Sequence, residues 1–199
     1  MKTQVIVIHG GNAFEKYEDY ISSLRTKEVS LERLQFKNWK STMADRLGED
    51  FDVLCPQMPN SANARYLEWK IWFERITPLF GTEVILIGHS LGGIFLAKYL
   101  SENELPKKII ATFLIASPFN TADQHPLVDF IISKDLTRLE KQGGKIFIYH
   151  SKDDTIVPFS DSESYAEALP KAELRVFEDK GHFNMLEFPE LVEGIRNIV

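Results

Sequence analysis

Glu83-Val84-Ile85-Leu86-Ile87 runs directly into Gly88-His89-Ser90-Leu91-Gly92, which runs directly into Gly93-Ile94-Phe95-Leu96-Ala97-Lys98-Tyr99-Leu100. The first stretch is short, apolar and β-branched, as a buried strand is; the last has the composition of a helix. A strand can pass into a helix within so few residues only through a very tight turn. Glycine on both sides of Ser90 removes the side chains that such a turn would crush. The turn lifts the serine hydroxyl above the sheet edge and leaves the next backbone N–H free at a helix N-terminus.

The rest of the chain supplies that sheet. Short apolar runs at Gln4–Ile8, Phe51–Leu54, Val84–Ile87, Ile109–Ile115, Lys145–Tyr149 and Leu174–Phe177 alternate with segments of helical period, the pattern of an α/β fold. Trp39, Met43 and Leu47 form one helix face, with Asn38 as its N-cap and Gly48 as its stop. Tyr66, Trp69, Phe73 and Ile76 form another, and Leu186 to Val199 reads as a closing helix. No repeat or linker divides the chain, so residues 1–199 read as one domain with a sizeable core.

One segment exceeds what a strand–helix step needs. About 25 residues separate His9-Gly10-Gly11-Asn12 from Asn38, where a connection of about 2–6 is usual. Phe14, Tyr17, Ile21 and Leu24 recur at helical spacing, so residues 13–37 are expected to hold an inserted amphipathic helix. It leaves the first strand at the sheet edge where open α/β proteins bind ligands. Two readings stay open, a flap over that edge or a helix packed on a sheet face.

Charge and cysteine content exclude several functions. The net charge of −6 contains no long single-sign block, which argues against a nucleic-acid surface. Cys55 is the only cysteine, so neither a disulfide framework nor a thiolate zinc site is available. The basic start followed by Val5-Ile6-Val7-Ile8 is too short for a signal peptide, and no apolar run reaches membrane-spanning length. A reduced, cytoplasmic protein is expected, monomeric or weakly dimeric. No metal-ligand spacing or dinucleotide fingerprint occurs, so no cofactor is expected.

A serine hydroxyl is a weak nucleophile and needs a general base, which in turn needs an orienting carboxylate. In a chain with this elbow the order is serine, acid, histidine. Three histidines follow Ser90, namely His125, His150 and His182. His182 stands directly after the last strand, whereas His150 closes the strand where the acid is expected and His125 lies in a loop away from any strand end. The acid should follow the strand Lys145–Tyr149, where Asp153 and Asp154 are adjacent. Adjacency alone leaves the choice open; Asp154 is preferred because Asp154-Thr155-Ile156-Val157-Pro158 is similar to the Asp-x-x-Val-Pro that many α/β hydrolases show at this place, and Asp153 is its rival. The oxyanion donors should be the Leu91 N–H and an N–H of the loop after the first strand, Gly11 or, second, Asn12. Phe14, Phe119 and Leu127 are expected to line the pocket.

Other residues read as structural. Cys55 ends a strand and is expected to be buried. Trp69 and Trp72 fit core packing, His9 a hydrogen bond within its loop, His89 packing or a local hydrogen bond, and Gly143-Gly144 a helix stop.

With elbow, acid and histidine in order, the chain resembles the α/β-hydrolase superfamily over its whole length. It is most similar to the small serine hydrolases typified by retinoblastoma-binding protein 9 and YdeN. Trp39, Met58-Pro59-Asn60, Glu68-Trp69, the Asp153-Asp154 pair and Gly181-His182-Phe183 carry the narrower likeness. The resemblance implies Ser90, Asp154 and His182 as a triad on a three-layer α/β/α sandwich. It also implies a six-stranded, mostly parallel sheet of order 2-1-3-4-5-6 with no full cap domain. A serine carboxylesterase acting on a small soluble ester through an acyl-enzyme is the activity implied. An acyltransferase, a peptidase or amidase on the same triad, and a non-catalytic partner-binding protein are the alternatives. The Leu-x-Cys-x-Glu motif of the human member is not matched around Cys55, so that partner does not carry over.

Overall fold

The computed structural model describes residues 2–120 and 126–199. Six strands, β1 (Thr3–Ile8), β2 (Phe51–Leu54), β3 (Glu83–His89), β4 (Lys108–Ile115), β5 (Lys145–Ser151) and β6 (Glu173–Phe177), form one sheet in the order β2-β1-β3-β4-β5-β6. All five pairings are parallel, so the sheet is wholly rather than mostly parallel. The apolar runs that read as strands are the strands, extended by a residue or two at some ends.

Alternation along the strands sorts the core into two layers, because successive side chains point to opposite faces. Ile6 and Ile8 face α4 (Tyr66–Ile76), α5 (Leu91–Glu102), α6 (Thr137–Gln142) and α7 (Phe159–Ala168). Val5 and Val7 face α3 (Trp39–Leu47) and α8 (Pro189–Arg196). The result is the expected α/β/α sandwich. On α3 the buried residues are Trp39, Met43 and Leu47, and Asn38 caps it by accepting from the Lys40 N–H at 3.1 Å. The closing helix is shorter than its apolar pattern suggested, because Pro189 sets its first turn and it ends at Arg196.

The segment after β1 does contain its helix, α1 (Tyr17–Thr26), followed by the single turn α2 (Leu31–Gln35). It is not packed on a sheet face, since α1 buries no residue. Two further expectations need correction. Trp72 is 40 % exposed, because it lies at the margin of the α4 stripe centred on Trp69 and Phe73. Cys55 is exposed, since β2 is an edge strand and the thiol lies just past its end.

The chain runs from β1 outward to β2 and then returns to β3 on the other side of β1. Ligands of open parallel sheets bind outside the carboxyl ends of the strands at such a switch point. His9-Gly10-Gly11 follows β1 there and Ser90 follows β3.

Candidate active site

Ser90 occupies the turn between β3 and α5 with φ 56° and ψ −124°, a backbone conformation that a non-glycine residue holds only when its surroundings enforce it. Its neighbours show why they must be glycine. A Cβ on Gly88 would stand 2.5 Å from the Gly92 carbonyl oxygen, and one on Gly92 would stand 2.3 Å from that of Ile8. Ser90 is tied to the sheet by its N–H, which donates to the Ile115 carbonyl at 2.9 Å.

Asp154 and His182 meet 28 residues apart in sequence, on the loops after β5 and β6. The His182 Nδ1–H donates to Asp154 Oδ2 at 2.8 Å. Asp154 Oδ1 accepts from the backbone N–H groups of Ile156 (2.8 Å) and Val157 (3.0 Å), and its side chain is fully buried. Burial alone would raise the carboxyl's pKa. The hydrogen bond and charge of His182, with the two amides, outweigh it and hold the group below the ordinary carboxylate range. The Asp-x-x-Val-Pro spacing thus has a physical content, a carboxylate clasped by the turn that follows it. Asp153 does different work. Its Oδ1 accepts from Ser151 Oγ at 2.5 Å and from the Gly181 N–H at 2.9 Å, so it fastens the loop that carries His182.

Ser90 and His182 line the same cleft, of about 730 Å³, which opens at the carboxyl ends of the strands. Among the described residues Ser90 Oγ has no hydrogen-bond partner, and a nucleophile–base contact often tightens only when substrate enters. The Asn12 N–H is already donated to the Ser61 carbonyl at 2.9 Å, whereas the N–H groups of Leu91 and Gly11 have no partner among the described residues. Gly11 must be glycine, as its Cβ would stand 2.6 Å from the Ser61 oxygen.

Phe14 and Leu127 line the cleft, but Phe119 does not. Phe119 turns into the core, edge-on to Tyr165 at 4.8 Å between ring centres, and its N–H is held by Asp161 at 2.7 Å. Pro118 takes the wall position instead. His125 lies outside the described residues. His150 is fully buried, with Nε2 2.9 Å from the Val157 carbonyl.

Two histidines organise the site from behind. His9 Nε2 accepts from the Met58 N–H (2.9 Å), so its Nδ1 carries the proton and donates to the Gly10 carbonyl at 2.6 Å. Trp69 Nε1–H donates to the Pro59 carbonyl at 2.8 Å, and Asn60 donates to Glu68 at 2.9 Å. Met58-Pro59-Asn60 and Glu68-Trp69 are therefore two halves of one clamp. His89 reaches further than a local bond: its Nε2–H donates to the His182 carbonyl at 2.9 Å and its Nδ1 accepts from Lys40 Nζ at 3.2 Å. Burial first, then Lys40 and His182, keep this imidazole well below its usual pKa, hence neutral. Lys40 is a cleft residue that the sequence pattern did not disclose.

Rat serine hydrolase RBBP9 is 27 % identical over 152 residues, covering 75 % of this chain and 78 % of its own. The crystal structure of the ydeN gene product from B. subtilis superimposes with a TM-score of 0.72 at 21 % identity, covering 99 % of this chain and 98 % of that one. A meta-cleavage product hydrolase, CumD, superimposes with a TM-score of 0.69 at 15 % identity over 100 % of this chain and 91 % of its own. No helix among the described residues is long and apolar enough to cross a membrane. The serine hydrolase family matches residues 32–194, a span that holds the elbow, both aspartates and His182, and the chain belongs to that family.

Proposed function

We propose that this serine hydrolase cleaves small esters by acyl transfer through Ser90. The observation that carries the reading is the 2.8 Å bond from His182 Nδ1 to the buried Asp154, which leaves Nε2 free to act as base in the cleft that Ser90 enters. His182 takes the Ser90 proton as Oγ attacks the ester carbonyl, and the carbonyl oxygen gains its negative charge between the Leu91 and Gly11 N–H groups. His182 then returns the proton to the departing alcohol, and the acyl-enzyme is hydrolysed by a water that His182 activates. Asp154 fixes the imidazole tautomer and stabilises the imidazolium, while staying ionised because its pKa is depressed. Each amide donor is worth about 3 kcal/mol of transition-state stabilisation. A cleft of about 730 Å³ suits a soluble, short-chain ester better than an emulsified lipid.

A fluorophosphonate probe tests the assignment. It should label Ser90 rapidly in the unaltered chain and fail in Ser90→Ala and His182→Ala, with ester turnover falling about 10⁴-fold or more in each. A folded, unlabelled chain, or faster turnover of long-chain triglyceride than of a soluble ester, would refute the reading.

A further inference from the structure

The chain carries a net charge of −6, yet among the described residues its cleft is lined by two lysines, Lys27 and Lys40, and by no aspartate or glutamate. The ion pairs among the described residues include neither lysine. Lys27 is exposed. Lys40 is half-buried, its Nζ 3.2 Å from His89 Nδ1 and 4.6 Å from the centre of the Trp39 ring. The helix that carries it is pinned to the His182 loop, because the Trp39 N–H donates to Met185 and its Nε1–H to Phe183, both at 2.9 Å. The ammonium thus stands one imidazole, that of His89, away from the backbone of His182, in the cleft that both residues line.

An ammonium in this position is costly, since burial strips its hydration and no carboxylate replaces it. Burial lowers its pKa to about 8, so it remains mainly cationic at neutral pH. Its one hydrogen bond does not require the charge, because any neutral donor would satisfy His89 Nδ1 equally well. Beyond its attraction to the Trp39 ring, what the charge can do that a neutral donor cannot is attract an anion from the cleft. A single half-buried ammonium, with the amides of Asn38 and Asn184 also lining the cleft, balances one negative charge and offers no guanidinium fork for a phosphate.

We infer that Lys40 is a specificity-determining residue that binds a carboxylate on the substrate, so that the ester taken by this cleft is an anionic one, with Lys27 adding a second positive charge at the same cleft. This inference rests on the ester-hydrolase reading above.

Two matched pairs of esters test it. In 4-nitrophenyl hemiglutarate and 4-nitrophenyl valerate a carboxylate replaces a methyl on the acyl side; 4-acetoxybenzoate and its methyl ester place the difference on the alcohol side. The unaltered enzyme should favour the charged member of at least one pair by about tenfold or more in kcat/KM, the worth of one charged hydrogen bond. Lys40→Met should bring that ratio to within about twofold of unity, and Lys40→Arg should keep most of it. A proportional fall for both members, with the ratio preserved, would make Lys40 only a positioning residue acting through His89, and the inference would be wrong. It would equally be wrong if the neutral member were favoured in both pairs. Should no ester be cleaved, the ester-hydrolase reading falls, and calorimetric titration of benzoate and glutarate against benzamide and glutaramide decides this inference alone. Carboxylate binding that weakens about tenfold in Lys40→Met supports it, and equal binding of acid and amide overturns it.

Discussion

Between Gly88 and Leu100 every residue but Ser90 and Lys98 is buried, whereas α1, on the segment that adds Phe14 and Lys27 to the same cleft, buries none of its residues. The elbow is over-determined. Backbone from β1 presses on Gly92, the Ser117 side chain presses on Gly93, and the Ile115 carbonyl holds the Ser90 N–H. The segment is held mainly at its root. Asn12 exchanges two backbone hydrogen bonds with Ser61 and Ala64, and the Phe14 N–H donates to Asn63 at 3.2 Å. Beyond the root, Tyr17, Leu24, Leu31, Leu34 and Phe36 are exposed. The proposed chemistry thus sits on backbone that cannot shift without breaking the core, and part of the cleft wall sits on chain that can change without touching it. A family can keep one reaction and vary its substrates under that division.

The sharpest way to break the comparison is Gly92→Ala. Its Cβ would stand 2.3 Å from the Ile8 oxygen and 2.6 Å from that of His9, both fixed backbone at the end of β1. A loss of about 3 kcal/mol or more is expected in urea unfolding, with activity falling even where the fold survives. A stable, active Gly92→Ala would show that β1 and α5 can separate and that the elbow is no stiffer than its cover.

The elbow was legible from sequence because its constraint is local: five residues, two of them glycines, between a strand and a helix. The six strands were legible for a related reason, since both sheet faces are covered and each strand reads as an apolar run. What escaped was set by contacts remote in sequence. Lys40 stands among the polar positions of α3, and its partner His89 lies 49 residues away. Phe119 reads like any aromatic after a strand until Asp161, 42 residues on, is seen to hold its N–H and turn its ring inward. Cys55 reads as buried because nothing in Val53-Leu54-Cys55 distinguishes an edge strand from a central one. The sequence reading prefers Asp154 to Asp153 but gives Asp153 no partner, and in the folded loop Asp154 meets the imidazole while Asp153 meets the backbone beside it.

That pair gives a second, smaller effect on stability. Asp154 contributes three hydrogen bonds as an ion, so Asp154→Asn should cost about 1.5–3 kcal/mol at pH 7. Its pKa in the folded chain is depressed, so the contribution is fully present above the ordinary carboxylate pKa and is lost as pH falls through the folded value. Unfolding midpoints of the unaltered chain and of Asp154→Asn should therefore converge on acidification. Turnover should separate the two aspartates further, with Asp154→Asn lowering kcat by about 10⁴ and Asp153→Asn by far less. A gap that widened toward acid would mean that Asp154 is held neutral, which would remove the partner that the imidazolium needs.

The smallest effect is expected on the segment. Leu24 and Leu34 are 48 % and 71 % exposed, and α1 buries no residue. Replacing both with serine removes little buried apolar area, so the unfolding midpoint should move by no more than about 0.5 kcal/mol. The helical spacing of Phe14, Tyr17, Ile21 and Leu24 nevertheless shapes an apolar face whose first residue, Phe14, lines the cleft, and a face so placed can close against substrate. The two possibilities separate in one experiment. If Leu24→Ser with Leu34→Ser leaves both the midpoint and KM in place, the segment is a passive wall and selection rests with the fixed residues of the cleft. If the midpoint holds while KM rises, those leucines meet the substrate and the cover takes part in its choice. A loss of more than about 1 kcal/mol in the free chain would mean that the segment packs as firmly as the elbow, and the contrast between fixed chemistry and variable wall would have to be given up.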